Sequence, residues 1–488
     1  MTRTRLALLA AGLTCAAPLA VPTSPAVAAV PSVRPVPPVT LVPVATLATG
    51  GAEIVAYDPK TQRSFVTEAS PATLRAVDLA TRRVVATVDM RVYGSELTSV
   101  DARHGRVVAV VKSATPGADG TLVLLDARTL RVLGTAPVGA GPDAVVLSAD
   151  GRRAVVANEG EPTGYCATPE RTDTDPEGSV SVVDLRTMTS RKATFTGVPI
   201  PAGVRIYGPR ATPAQDLEPE YVALLPGTLT AVVSLQENNA LAYVDLGTAT
   251  VTKIVAAGYQ DHGVIPLDPN DRDATVGASV TAPGLLGMRQ PDAVVGFAAG
   301  NKRFTIEAGE GDAREYACFD EQSRVGGTGP LARLRTTIAP PTTDKTYAYG
   351  SRAFTIRDAN GVIVFDSADQ LERLTLRDYP ELFNASAGAS PDSRSDDKGP
   401  EPEGAAVGRA FGRTYAAIGL ERGPGAIVLA DITVPGQTQI VDLAHQDGDL
   451  APEGLEFVSA ADSANGVPQV IVANEVSGTV TVYELRRG

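Results

Sequence analysis

The sequence predicts an all-β fold, a seven-bladed β-propeller of four-stranded antiparallel blades. Three observations predict it: a unit that recurs at a spacing of several tens of residues, a strand-favouring composition, and a turn phrase that returns after the third strand of most units. Of 488 residues 47 are Gly and 37 Pro, 5% are aromatic and none is Trp. Abundant Val, Thr and Ala broken by such turn formers read as strands and turns.

Each unit opens with an acidic residue at the head of an apolar run and closes its second run on a glutamate. The pairs are Glu53 and Glu68, Asp143 and Glu159, Glu220 and Glu237, Asp292 and Glu310, Glu403 and Glu421, and Glu453 and Glu475. A further copy opens at Glu96 and has Lys112 where the closing carboxylate would stand. In PDAVVLSADGRRAVVANEGE the runs 144–147 and 154–157 flank a turn bearing Gly151, the pattern of a hairpin. Two antiparallel strands bring the start of one and the end of the next to one edge, so the acids should share a face. A third strand then ends in an acid and a turn, at Asp78, Asp126, Asp184, Asp245 and Asp431, leading to a fourth. Four such strands make a propeller blade.

The last copy, GLEFV, QVIVANE and TVTVYEL, is one strand short. The apolar segment VTLVPVATLA, residues 39–48, supplies the missing strand, and pairing it with the C-terminal blade would close the ring without an exposed edge. Residues 39–488 are therefore expected to form a single propeller domain, preceded by a Pro-rich tether at 30–38. Residues 1–29 read as a signal peptide, with Arg3 and Arg5, an apolar stretch and the small-residue run 26–29. No later segment offers the roughly 20 apolar residues of a membrane span, and no sorting tail follows, so the expected location is extracellular, by secretion.

Cys15 leaves with the signal, and Cys166 and Cys318 remain. In an oxidising compartment a disulfide between them is expected, with two unpaired thiols as the alternative. Both cysteines lie in insertions that leave the ends of second strands, PTGYCATPERTDTDPE in the third unit and residues 316–349 in the fifth. A bridge would staple two loops over the acid-bearing face. Residues 259–290 and 374–400, rich in Gly, Pro and Asp, read as further loops. A formal net charge of -13 excludes nucleic acid and anionic membrane as partners.

The phrases ANEGEP, DPEGSVSVVDL, EPEYVAL, LQENNALAYVDL, EGDAREY, SDDKGPEPEG and ANEVSGTVTVYEL together resemble the choice-of-anchor I proteins, a group similar to mesenchyme-specific cell surface glycoprotein. The resemblance spans nearly all of the chain beyond the signal. It implies an extracellular propeller of the WD40/YVTN type, at a cell surface, and no settled activity. The fifth unit departs in reading AGEGD, with Gly309 where other copies place Asn or Gln.

Carboxylates gathered on one face suit a hard cation, and Ca2+ is the expected cofactor. The candidate ligands are the twelve paired acids above together with Asp312. Clusters at Asp173, Asp175 and Glu177, at Asp268, Asn270, Asp271 and Asp273, and at Asp396 and Asp397 fit the same chemistry. The competing expectation is that Pro-Glu and Pro-Asp are turn entries on a solvated rim. His104, His262 and His445 follow no zinc spacing and read as surface or turn residues. Lys112, Arg314, Lys398 and Arg422 stand near acid motifs, either as salt partners or as phosphate binders. Familiar hydrolase and nucleotide signatures are missing from the sequence. Two functions follow: a secreted binding or adhesion scaffold with a calcium-bearing channel mouth, or a calcium-dependent phosphoesterase resembling propeller phytases or alkaline phosphatases. The expected partner is an extracellular ligand or cell-surface component, phosphate-bearing ones included.

Overall fold

The computed structural model describes residues 38–166, 173–341 and 343–488. The expected signal peptide, Cys15 and nearly all of the tether lie outside the described residues.

A run such as RAVVAN is apolar on both faces and needs a neighbour along each edge. Strand Arg153–Asn158 accordingly pairs with Pro142–Leu147 on one side and Ser179–Asp184 on the other, and Thr189–Thr194 completes the sheet. The same up-and-down order recurs in the sheets whose first strands are Val55–Asp58, Glu96–Arg103, Val222–Leu224, Val294–Ala299 and Pro402–Ala410. A further sheet begins at Pro452–Val458, and its outer strand is Val39–Ala48, paired antiparallel with Thr479–Arg487 in the arrangement expected from the sequence. Among the described residues seven sheets have four strands. The fold is a β-propeller.

Sheets pack face to face through apolar clusters. Phe65 and Leu74 of one sheet meet Leu97, Val107 and Val111 of the next, each fully buried. The sheet that begins at Pro452 packs on the one that begins at Val55, through Val66, Val77, Ile471 and Val480. First strands from every four-stranded sheet line one cavity of about 360 Å³, represented by Val55, Val100, Val145, Val222, Val295, Ala406 and Leu455. The turn acids serve as expected: Asp126, Asp184 and Asp245 accept hydrogen bonds from the amides of Thr129, Thr187 and Thr248, closing the turns into fourth strands.

Two segments read as loops contain regular structure. Tyr259–Asp261 and Leu285–Met288 join Thr346–Ala348, Arg335–Thr337 and Gln322–Arg324 in a five-stranded side sheet. Gln370–Asp378 is a helix that buries Leu371, Glu372 and Thr375, a face only one turn long and too short to stand out as a period in the sequence. No helix among the described residues is long and apolar enough to cross a membrane.

Candidate functional site: a carboxylate-lined mouth

The leading acids stand at the starts of first strands, and the backbone there is specialised. The ladder slips between Leu97 and Ser99, Pro142 and Val145, Pro402 and Ala405, and Pro452 and Gly454. Such bulges bend a strand and re-aim a side chain, here Asp143, Glu403 and Glu453. Glycine completes the Pro-Glu-Gly phrase for a packing reason. A Cβ on Gly404 would lie 1.8 Å from the carbonyl oxygen of Glu453, and one on Gly454 would lie 2.6 Å from that of Glu53. The amide of Gly454 instead donates to the Glu53 carbonyl across the sheet boundary at 3.0 Å. Neighbouring acids are thus drawn together by their own backbones.

The closing acids divide. Glu68 pairs with Arg75 at 2.6 Å, Glu159 with Lys112 at 3.1 Å, Glu310 with Lys398 at 2.5 Å and Glu421 with Arg422 at 2.7 Å. Asp312 is 3.9 Å from Lys398. Glu475 is exposed. Glu237 is buried and its Oε2 has no partner. Among the described residues no ion pair holds Glu53, Asp143, Glu220, Asp292, Glu403 or Glu453, and the Oε2 atoms of Glu220, Glu403 and Glu453 are buried without a hydrogen bond. Asp292, Glu310 and Glu403 each bring a carboxylate oxygen within 4.8 Å of the others, and so do Glu310, Glu401 and Glu421. The second group is already neutralised, because Lys398, Arg394 and Arg422 all converge on Glu401. The first group has Lys398 alone.

Burial, followed by the charges of Glu475, Asp143 and Glu96, pushes the Glu53 carboxyl up to about 7. Burial raises Asp143 to about 6 against the pull of Lys112. Glu220, Asp292, Glu403 and Glu453 are held well above the usual carboxylate range by burial and then by one another: Glu453 feels Glu53, Glu475, Asp292 and Asp143. Glu237 rises to about 7 and Glu421 to about 8, both through burial first. Glu159, Glu310 and Asp312 are raised by burial even with lysine opposite. Acids from different sheets repel one another because they face a common space.

The side clusters are largely spoken for. Asp271 is bound by Arg333, Asp396 by Arg324 and Arg333, and Asp397 by Arg394. Asp173 accepts from the amide of Cys166, and Glu177 from Thr196. Cys166 and Cys318 form the expected disulfide. Beneath it Arg314, fully buried, bonds Asp216 and lies 3.3 Å from Glu218, while Arg205 bonds the buried Glu321. Lys112, Arg314, Lys398 and Arg422 are therefore all salt partners. His104 is exposed, and His445 lies 3.4 Å from Asp447. His262 lies in a turn, as expected, but away from the surface: it is 2% exposed, its Nδ1 contacts the Ile265 carbonyl, and burial pushes it down to about 4. Glu401 was missed by sequence reasoning, although the alternation of acids in KGPEPEG places it two residues before Glu403.

Fold and site together define a β-propeller with a carboxylate-lined mouth. The chain belongs to the choice-of-anchor I domain family, whose description matches residues 53–343 and 331–435. It is 31% identical over 169 residues to Gigasin-3a of Magallana gigas, covering 30% of this chain and 59% of that protein. It is 28% identical over 136 residues to mesenchyme-specific cell surface glycoprotein of Strongylocentrotus purpuratus, covering 26% of this chain and 16% of that protein. The chain thus spans less than two thirds of either relative. Among solved structures, Kuenenia stuttgartiensis hydrazine synthase superposes with a TM-score of 0.51 at 14% identity, over 90% of this chain and 96% of that one, a likeness of fold alone.

Proposed function

We propose that this chain is an exported, extracellular propeller of seven blades, closed by its N-terminal strand, that serves as a binding or adhesion scaffold with calcium held in the carboxylate mouth. Residues 39–488 would be the single domain, behind a signal at 1–29 and a tether at 30–38. The seven four-stranded sheets, the apolar cluster between the sheets that begin at Pro452 and Val55, and the Val39–Arg487 pairing support the ring. The disulfide and the cell-surface relative support the location.

One observation carries the ion: Asp292, Glu310 and Glu403 gather within 4.8 Å with a single lysine among them, while buried oxygens of Glu220, Glu237, Glu403 and Glu453 lack any partner. Oxygen-only donors in flexible geometry fit calcium, which would supply the missing positive charge and brace the blades around it. A phosphoesterase here would have calcium meet phosphate without help from Lys112, Arg314, Lys398 or Arg422, each of which is engaged with carboxylates.

Metal analysis of protein purified without added ions is expected to find calcium, chelation to lower the melting temperature, and the double variant Asp292→Asn/Glu403→Gln to lose the ion from the mouth. Protein that carries no cation and melts identically with chelator or excess calcium would overturn the proposal. Calcium-dependent hydrolysis of a generic phosphomonoester would replace the scaffold with the enzyme.

A further inference from the structure

Away from the mouth, two long insertions meet beside the helix Gln370–Asp378. One precedes the sheet that begins at Val294 and carries Asp268; the other precedes the sheet that begins at Pro402 and carries Asn384 and Asp392. Asp268 is 0% exposed and Asp392 4%. Burial, followed by the charge of Asp392, pushes the Asp268 carboxyl up to about 7. The Oδ1 of Asp268 accepts from the amide of Asn270 at 3.2 Å, but its Oδ2 is buried with no donor. Asp392 accepts from the hydroxyl of Ser395 at 2.5 Å.

The guanidinium of Arg352 makes no hydrogen bond to either carboxyl group. Arg352, itself buried, spends its donors on the carboxylate of Glu372 and on the carbonyls of Asp268, Ser395 and Asp397. Asn384 is tied to the same network by its Nδ2, which donates to Glu372 and Ser395, and its own Oδ1 is buried and unpartnered. Three carboxylates and one guanidinium thus share a buried network in which Asp268 Oδ2 and Asn384 Oδ1, one from each insertion, lack a donor. Two facing carboxylates cannot both stay ionised there without a counter-charge.

We propose that Asp268 and Asp392, with Asn384 at their side, form a second, structural site for a divalent cation of the calcium class, distinct from the mouth, that clamps the two insertions together. Oxygen-only ligands, two of them anionic, fit calcium better than zinc. The clamp holds the loops of the side sheet against the body of the propeller and need not touch any external ligand.

The test uses the whole mature protein and calcium itself as the probe. Hydrogen exchange at residues 263–284 and 384–397 is expected to speed up at least tenfold on chelation and to recover with calcium, in the Asp292→Asn/Glu403→Gln mouth variant as well as in the unaltered protein. Asp392→Asn is expected to lower bound calcium by one ion per chain and to make those segments indifferent to chelator. Exchange in the unaltered protein that ignores chelation overturns the clamp, even if the Asp392 variant fails to fold. Exchange that instead tracks pH with no calcium response assigns the pair a shared proton and overturns the clamp equally. Bound calcium left unchanged by Asp292→Asn/Glu403→Gln, with this response retained, would refute the proposed mouth and leave the clamp standing.

Discussion

At Glu456 the chemistry of a single carboxyl can be followed with pH. The residue lines the central cavity together with Asp101 and Arg103. Burial, followed by the charge of Asp101, moves its carboxyl from 4.5 to about 8. A folded value above the unfolded one means that the protonated group's contribution to stability is complete below about pH 4.5 and is lost as pH rises through about 8. Glu456→Gln should therefore be nearly neutral at pH 4.5 and stabilising by roughly 2–4 kcal/mol at pH 8.5. Melting curves of both proteins at the two pH values decide it; an equal difference at both would contradict it. A second single-residue effect is steric. Gly454→Ala places a methyl against the Glu53 carbonyl and should cost about 1–3 kcal/mol by denaturant titration. That Asp292, Glu310 and Glu403 would meet was legible residue by residue, because a leading acid and a closing glutamate mark the same edge in each unit. Which would be neutralised was not. Lys112 reaches Glu159 across a sheet boundary, and Lys398 reaches Glu310 from an insertion, so those partners depend on tertiary placement.

At the scale of elements, segments outside the four-stranded sheets carry much of the buried charge, Arg205, Asp216, Arg314, Glu321, Arg352 and Asp392 among it. Arg314→Leu would strand Asp216 and Glu218 in an interior that excludes water, and an unfolding free energy lower by about 3–5 kcal/mol is expected. Replacing both cysteines, Cys166→Ser with Cys318→Ser, opens a loop of 152 residues and should cost about 2–4 kcal/mol. Proteolysis should then cut first near the stapled insertions; unchanged resistance would show that the Arg314 network alone suffices to hold them. The staple was readable because only two cysteines lie beyond residue 29. The side sheet and the helix Gln370–Asp378 were not, since strands of two to four residues and a helix of nine leave no period long enough to detect.

For the molecule as a whole, the repeat was plain because each sheet meets the same demands: an apolar face toward each neighbour, a strand-forming run between turns, and a first strand that lines the central cavity. Removing residues 39–48 would uncover the edge of Thr479–Arg487, a nine-residue strand with apolar Val480, Val482 and Leu485. The truncated protein is expected to form oligomers on size exclusion where the longer one runs as a monomer. A monomer of unchanged melting temperature would show that the outer strand contributes little.

Val39 meets Arg487, which makes the earliest described strand wait for the latest. During synthesis residues 39–48 emerge with no mate, and every shortened product stays adhesive at one end. Only when Thr479–Arg487 arrives does that stickiness vanish, so the sheet acts as a built-in check that the chain has been read through to its far strand.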